Sequence, residues 1–365
     1  MAAVSPPRPP SPREEVGAPK ADGRFAPKPD WLKVRAPGGD RYHDLKRTLR
    51  ELDLHTVCEE ARCPNVGECW REGTATVMLL GDVCTRGCRF CAVTTGDPRG
   101  AVDPREPEHV ARAIAKLELL YVVMTMVNRD DLLDGGAEHV ARTVRRLREL
   151  RSDILIEALV GDFAGKGDAV DVCCDGNPDV FAHNVETVRR LQRTVRDVRS
   201  SYERSLEVLA RAKKHGQVFS KEPGRRPMLT KSSIMVGLGE TDDEVIETMR
   251  DLREAGVDIV TIGQYLRPSP KHHAVLRFVE PATFAEYELE ASRMGFLYAA
   301  SGPLVRSSYK AAEVFLRSLL DDAGADVSAS IDERLARARE EAQRVAQSIS
   351  PPGGLVPASS LVRGR

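Results

Sequence analysis

Six of the eight cysteines in this 365-residue chain lie between positions 58 and 91, in two groups of three. The groups are Cys58-x4-Cys63-x5-Cys69 and Cys84-x3-Cys88-x2-Cys91. Because no apolar signal sequence precedes them, we do not expect the disulfide framework of a small secreted protein. Six thiols so close in sequence instead favour metal binding or catalysis, and the fold must bring each group of three together.

The number of cysteines in each group narrows the choice of metal. Thiolates select zinc, copper(I) or iron–sulfur clusters. A structural zinc site is closed by four ligands, often supplied as short cysteine pairs, whereas a four-iron cluster has one ligand for each iron. Three cysteines would leave one iron open to chelate S-adenosylmethionine, and one electron from the cluster could then generate a 5′-deoxyadenosyl radical. A zinc-stabilised binding module is the non-enzymatic alternative.

The composition excludes several other classes of protein. Lysine and arginine total 54, aspartate and glutamate total 55, and the net charge is −1. This balance gives no electrostatic reason to bind nucleic acid or an anionic membrane. A chain that is 41% apolar and 30% charged is not wholly disordered, and no run of about 18 apolar residues predicts a membrane helix.

The N-terminal segment predicts a location. Residues 1–40 contain nine of the 23 prolines, several acidic residues and no apolar segment. Mitochondrial transit peptides are poor in acidic residues, so we expect a disordered proline-rich arm. Since such clusters need a reducing compartment, the bacterial cytoplasm is expected; a mitochondrial location is the alternative if the N-terminus is incomplete.

The chain downstream of the cysteines alternates between two patterns. Strand-like runs are found at 76–80, 121–125, 154–158, 179–182, 233–236, 258–262 and 296–299, and helical patterns at 43–54, 108–117, 137–150, 185–195, 202–214, 242–255 and 281–294. The alternation predicts βαβ units and a parallel sheet, which we interpret as a complete or partial (β/α) TIM-like barrel. Spacing alone leaves an open Rossmann sheet possible. We expect an inserted loop at 216–227, a charged helix packed outside or free at 331–349, and disorder at 350–365.

At these motifs the sequence resembles lipoyl synthases, a family of the radical S-adenosylmethionine superfamily, over about residues 31–320. The segments that carry the resemblance are 58–70, 84–91 with Phe90 before the last cysteine, 128–132, 134–136, 183–187, 263–265 and Arg306-Ser307-Ser308-Tyr309. The first cysteine group together with the Arg-Ser-Ser-Tyr segment is specific to that family. The loop 161–165 departs from it, because Gly161 and Ala164 replace the usual proline and arginine.

The resemblance implies two [4Fe–4S] clusters and a division of the chain. It assigns Cys84, Cys88 and Cys91 to the cluster that cleaves S-adenosylmethionine, and Cys58, Cys63, Cys69 and Ser308 to an auxiliary cluster. Taken alone, Ser308 would be interpreted as a helix N-cap. The expected regions are a disordered arm (1–30), an N-terminal extension with the auxiliary-cluster cysteines (31–82), a (β/α) barrel of the radical S-adenosylmethionine type (83–300), a segment with the serine ligand (301–320) and a charged helix with a disordered tail (321–365).

The resemblance also implies a sulfurtransferase reaction. Adenosyl radicals remove hydrogen at C6 and C8 of an octanoyl chain on a carrier lysine, and the auxiliary cluster donates both sulfurs. A radical is needed because these C–H bonds offer no acidic proton to a general base. The implied partners are octanoylated lipoyl-carrier domains (2-oxoacid dehydrogenase E2 subunits and the glycine cleavage H protein), a flavodoxin or ferredoxin as electron donor, and an iron–sulfur carrier. The alternative is a radical enzyme with an auxiliary cluster and a different substrate.

Less specific motifs give candidate contacts to S-adenosylmethionine. These candidates are Asn128, Asp130, Glu157, Lys231, Gly237 and Glu240. The last two belong to Ser233-x-Met235-x-Gly237-x2-Glu240, which resembles the adenine-contacting segment of the superfamily. His183 and Arg306 have a structural role or a site role as open alternatives, and Cys173 and Cys174 are expected to be free structural thiols.

Overall fold

The structure is a computed structural model that describes residues 28–34, 40–51, 76–117, 119, 121–219 and 228–308. It also describes residues 56, 59, 63, 65, 66 and 69, and, towards the C-terminus, 337–338, 340–342, 344 and 356–357. Cys58, Tyr309, the arm before residue 28 and most of the predicted tail lie outside the described residues. Within the described residues, no helix is long and apolar enough to cross a membrane.

A parallel sheet of seven strands forms the centre of the molecule. In chain order the described strands are β1 (Lys33–Val34), β2 (Thr76–Leu79), β3 (Val83–Cys84), β4 (Thr94–Thr95), β5 (Tyr121–Met126), β6 (Leu155–Leu159), β7 (Val180–Ala182), β8 (Leu229–Val236), β9 (Ile259–Gln264), β10 (Tyr298–Gly302) and β11 (Val356–Pro357). The sheet order is β10-β9-β8-β7-β6-β5-β2. A Rossmann sheet reverses its strand order at a switch point. This order is sequential, so the arrangement is a partial (β/α) barrel.

Helices connect successive strands of the sheet. They are α1 (Asp40–Glu51), α2 (Glu106–Lys116), α3 (Ala137–Leu150), α4 (Gly167–Asp175), α5 (Gln192–Val195), α6 (Tyr202–Phe219), α7 (Asp242–Glu254) and α8 (Pro281–Arg293). The helix predicted at 137–150 matches α3, and α7 begins at a capping box between Thr241 and Glu244. Strand β2 belongs to the sheet, so the barrel begins at residue 76 and not at residue 83 as expected.

The sequence pattern is wrong at three helices. It predicts a helix over 185–195, but Glu186 has a φ of 68°, and its N–H donates to the Ser233 carbonyl at 3.1 Å. The start of the segment therefore pairs with β8, and a 3-10 turn at Arg189–Leu191 leads into the short helix α5 at its end. Conversely, α4 was not predicted, and α6 extends to residue 219 into the expected inserted loop.

The amino ends of the strands form a closed floor. The first residues of β5 to β10 pack together inside the barrel: Tyr121, Leu155, Val180, Leu229, Ile259 and Tyr298. Ala338 and Ala342 belong to the same cluster and are completely buried. The expectation that helix 331–349 is external or free is therefore wrong at these positions, since small side chains on one face let the helix approach closely. Residues 356–357, expected to be disordered, pair antiparallel with β1.

We expect Ala338→Gln to destabilise the chain because it places an amide in the apolar floor. The free energy of unfolding should fall by about 2–4 kcal/mol, measured by chemical denaturation. Arg344→Gln is the control on the exposed face of the same helical segment, with an expected change below about 0.5 kcal/mol. Equal small effects of both variants would mean that this segment does not close the floor.

Candidate active site

The second cysteine group lies on a loop above the carboxyl end of the sheet. Cys84 ends β3, and its carbonyl accepts a hydrogen bond from the Gly96 N–H at 2.9 Å. Further along, the Arg89 N–H donates to the Val195 carbonyl, and the Arg89 carbonyl accepts from the His273 N–H, both at 2.8 Å. The loop is thus held by backbone bonds to segments from distant parts of the chain. This is the end of a parallel barrel at which active sites form.

The three thiols of this loop lie close enough to influence one another. Burial raises the pKa of Cys91 to about 12, with further increases from Cys88 and Cys84. Burial also raises the pKa of Cys88. Two backbone donors point at sulfur: the Arg86 N–H lies 3.4 Å from Cys84 Sγ, and the Asp197 N–H lies 3.3 Å from Cys88 Sγ.

This donor set fits a [4Fe–4S] cluster. All three thiols are free and half-buried. Backbone N–H groups directed at cysteine sulfur are the contacts that tune such clusters, and iron would replace the thiol protons that burial retains. In the described residues, no three histidine, cysteine, aspartate or glutamate side chains are arranged around a single metal ion; a cluster does not require this, because each cysteine binds a different iron.

The first cysteine group meets the segment that follows β10. The Asn65 side-chain amide donates to the Leu304 carbonyl at 2.7 Å. The guanidinium of Arg306 lies near Cys63 and lowers the pKa of that thiol, although the larger effect is burial, which raises it. Cys69 is one turn further on, with its N–H bonded to the Asn65 carbonyl. Cys63, Asn65 and Cys69 therefore lie in one region with residues 304–306, two positions before Ser308.

Two of the candidate cofactor contacts support the cysteine loop. The Asn128 carbonyl accepts hydrogen bonds from the Thr85 N–H at 3.0 Å and from Thr85 Oγ1 at 2.9 Å. The Asp130 carboxylate accepts from Thr85 Oγ1 at 2.8 Å and from the Arg86 guanidinium at 2.7 and 2.9 Å. Both residues directly follow β5, so they join this strand to the loop between Cys84 and Cys88.

Two other candidates form a buried ion pair inside the barrel. Lys231 Nζ lies 2.8 Å from Glu157 Oε2, and the Tyr121 hydroxyl donates to the same oxygen. Glu157 Oε1 and Thr261 Oγ1 are buried without a hydrogen-bond partner in the described part of the chain. Glu157 and Thr261 stand two positions beyond floor residues on their strands, so both face the lumen.

The last two candidates shape a single turn after β8. The Glu240 carboxylate accepts hydrogen bonds from the N–H groups of Gly237 and Leu238, at 2.5 and 2.9 Å. Gly237 has a φ of 96°, and a Cβ at this position would meet the Gln264 side chain and the Arg277 carbonyl. Glycine is therefore required at residue 237, and Glu240 is engaged within its own loop.

Sequence reasoning did not single out Glu186, which follows β7 and acts on the thiols of the loop at residues 84–91. Glu186 holds a strained backbone with a φ of 68°, and its charge raises the pKa of both Cys88 and Cys91. Burial raises its own pKa, against the opposing effects of Arg196 and the Asn184 side chain. The motif 183–187 pointed to this segment, but a positive φ cannot be read from sequence.

The structure also locates the residues with open roles. His183 Nδ1 lies 2.8 Å from the Val160 carbonyl, so Nδ1 carries the proton, and Nε2 lies 3.0 Å from Ser205 Oγ. Both nitrogens are used inside the fold, which favours the structural role. Cys173 and Cys174 are buried in α4, and burial raises the pKa of both thiols.

Comparisons with known proteins agree with this site. The family model of the radical SAM superfamily matches residues 78–263, and that of the N-terminal domain of lipoyl synthase matches residues 13–63. A lipoyl synthase from Sorangium cellulosum is 68% identical, covering 93% of this chain and 99% of the relative. The chain belongs to the lipoyl synthase family. A Thermus thermophilus member is 56% identical over 80% of this chain and 87% of its own length. A mitochondrial member from Picea sitchensis is 52% identical over 81% and 76%.

Membership in the lipoyl synthase family identifies the chain as an enzyme of the radical SAM superfamily. Such enzymes use a [4Fe–4S] cluster and S-adenosylmethionine, which agrees with the three thiols of the loop at residues 84–91. The non-enzymatic zinc module is therefore excluded.

The buried imidazole of His183 gives a pH-dependent stability. Burial, more than the neighbouring Arg196, lowers its pKa to about 4. Between pH 6.5 and 4 the unfolded chain binds a proton at this residue and the folded chain does not, so stability falls as the pH falls through this window. The loss is about 3 kcal/mol.

His183→Gln should remove this part of the pH dependence, measured as the free energy of unfolding at several pH values. His109→Gln, at an exposed position on α2, is the control and should retain the native slope. If His183→Gln keeps the native slope between pH 6.5 and 4, the imidazole is not held neutral in the fold.

Proposed function

We propose that this chain inserts two sulfur atoms, at C6 and C8, into an octanoyl group carried on a protein lysine. The observation that carries the proposal is the presence of two separate thiol regions at one end of the sheet. One is the loop at residues 84–91. The other joins Cys63 and Cys69 to the segment at 304–308, and the 2.7 Å bond between Asn65 and Leu304 supports the pairing.

The chemistry divides between the two regions. When bound, a cluster at Cys84, Cys88 and Cys91 with S-adenosylmethionine supplies the radical, and a second cluster at Cys58, Cys63, Cys69 and Ser308 supplies sulfur. The protein binds, orients and shields these groups. A serine oxygen is a harder ligand than a thiolate, so Ser308 would release its corner more readily than the three cysteines.

The S-adenosylmethionine subsite is proposed to lie between the thiol loop and the carboxyl ends of β5 to β8. Glu186 supports this position through its strained backbone and its influence on Cys88 and Cys91. Glu157 and Lys231 would supply polar groups at the bottom of the subsite, since one oxygen of Glu157 has no hydrogen-bond partner among the described residues. Asn128, Asp130, Gly237 and Glu240 would form its walls, mainly by fixing loop conformations.

The partners follow from the same reaction. The substrate is an octanoylated lipoyl-carrier domain, such as a 2-oxoacid dehydrogenase E2 subunit or the glycine cleavage H protein. A flavodoxin or ferredoxin would supply electrons, and an iron–sulfur carrier would rebuild the auxiliary cluster. The thiols must stay reduced, so the bacterial cytoplasm is the proposed location.

The first test is an anaerobic single-turnover assay with an octanoyl-lysyl peptide, S-adenosylmethionine and a strong chemical reductant. Native chain should form 5′-deoxyadenosine and add two sulfurs to the peptide, measured by mass spectrometry. Cys88→Ala should lose both products. Cys63→Ala should keep 5′-deoxyadenosine formation but lose sulfur addition, because the two thiol regions act separately. Cys173→Ala, which removes a buried thiol outside both regions, should behave as native chain.

The outcome also separates the two enzyme hypotheses. If native chain forms 5′-deoxyadenosine while the peptide mass is unchanged, the radical site is correct and the substrate is different. Ser308→Ala should reduce sulfur addition by at least roughly 10–100-fold, since loss of a hydrogen-bond partner of a metal ligand usually costs that much. A full yield from Ser308→Ala would remove Ser308 from the auxiliary site.

A further inference from the structure

We propose that Arg86 is a positioning residue that holds the loop between Cys84 and Cys88 in the conformation its cluster requires. Asp130 and Asp162 act through Arg86 in this arrangement. The inference rests on the radical cluster site of the proposed function but not on the identity of the substrate.

The Arg86 side chain is almost completely enclosed, with 3% of the residue exposed. Its Nε and Nη2 atoms donate to the two oxygens of Asp130 at 2.9 and 2.7 Å. Nη2 also donates to Asp162 at 2.6 Å, and Nη1 donates to Ser200 Oγ at 3.2 Å. Two parallel bonds to one carboxylate fix the plane of the guanidinium as well as its position.

The partners of Arg86 come from three places in the fold. Asp130 follows β5, Asp162 follows β6, and Ser200 lies just before α6. One side chain therefore fastens the cysteine loop to the carboxyl ends of two neighbouring strands and to a helix. The backbone N–H of the same residue faces Cys84 Sγ. Movement of the guanidinium would thus displace both the sulfur and its hydrogen-bond donor.

The outer side of the loop is held separately. The Asp197 carboxylate accepts from the Gly87 N–H at 2.8 Å, and its own N–H faces Cys88 Sγ. Arg199 bonds to Asp197 and to the Thr85 carbonyl. Arg86 inside and Asp197 outside therefore hold one short loop between them, and each sulfur faces a backbone N–H.

The electrostatics make Arg86 hard to replace. Burial alone would lower its pKa, but the bonds to Asp130 and Asp162 reverse this effect and raise it. Removal of the cation would leave two carboxylates close together with only longer ion pairs, from Arg199 to Asp130 at 3.4 Å and from Arg204 to Asp162 at 3.6 Å. Lysine would keep the charge but lacks the planar fork that binds Asp130 and Asp162 together.

The test uses the full-length chain with Arg86→Lys, Asp162→Asn and Arg148→Gln. Arg148 is half-buried and pairs with the buried Asp179 at 2.5 Å at the amino end of the sheet, so it controls for the loss of an arginine that neutralises a buried carboxylate elsewhere in the barrel. After anaerobic reconstitution, the measurements are iron content, 5′-deoxyadenosine yield without carrier substrate, the electron paramagnetic resonance spectrum with and without S-adenosylmethionine, and the melting temperature without iron. Only the cluster with one iron free of protein ligands, at Cys84, Cys88 and Cys91, should change its spectrum when S-adenosylmethionine is added.

Arg86→Lys should lower the 5′-deoxyadenosine yield by roughly 10–100-fold and change the S-adenosylmethionine-dependent spectrum. Asp162→Asn keeps the Asp130 pair and should show a smaller loss in the same measurements. Arg148→Gln should lower only the melting temperature. A native spectrum and native yield from Arg86→Lys would overturn the proposal.

The proposal would also be overturned if Arg148→Gln changed the spectrum too and if the change in both variants were proportional to the fall in melting temperature. Arg86 would then act only through the stability of the chain. If Arg86→Lys does not fold, Asp162→Asn decides by the same spectrum and yield. Sulfur addition is not measured here, so failure of the substrate assignment leaves this test intact. Absence of 5′-deoxyadenosine from native chain would instead reject the radical site itself.

Discussion

The site depends on the parallel arrangement of the sheet. Parallel strands direct all their carboxyl ends to one side, so the loops that follow β2, β5, β6, β7 and β8 meet there. The order of the strands in the sheet follows their order in the chain. Consequently residues as distant as Arg86 and Asp162 can bond at 2.6 Å, and Cys91 can share a region with Glu186.

Ion pairs link the loops at the same edge. Arg86 lies between Asp130 and Asp162, and Arg129 pairs with Asp131 at 2.8 Å, whereas the interior floor at the amino ends is built from apolar and tyrosine side chains. Buried ion pairs contribute little net stability, because desolvation offsets their attraction. Their value here is geometric, since a bidentate pair defines direction where apolar packing does not. The floor with Ala338 stabilises the barrel, and the ionic upper edge defines the site.

Much of this arrangement could be predicted from the sequence, for identifiable reasons. Helix α3 and the sheet strands follow hydrophobic periodicity, and the cysteine spacings indicate candidate ligands. Periodicity failed at Glu186, where a left-handed backbone ends the pattern, and at Ala338, where small residues do not reveal a packed face. The hydrogen-bond partners of Asp130 and Glu240 could not be predicted, because a single chain does not show which donor a carboxylate selects. That choice depends on contacts such as Arg86 with Asp130.

The two thiol regions are joined to the barrel in different ways. The loop at residues 84–91 is fixed from inside by the Arg86 guanidinium and from outside by the Asp197 carboxylate. In the region of Cys63, the Asn65 side-chain amide bonds to the Leu304 carbonyl, and the Arg306 guanidinium lies near the thiol. The bidentate pair of Arg86 defines the direction of the first loop, whereas the bond from Asn65 attaches the Cys63 region to the segment that leaves β10.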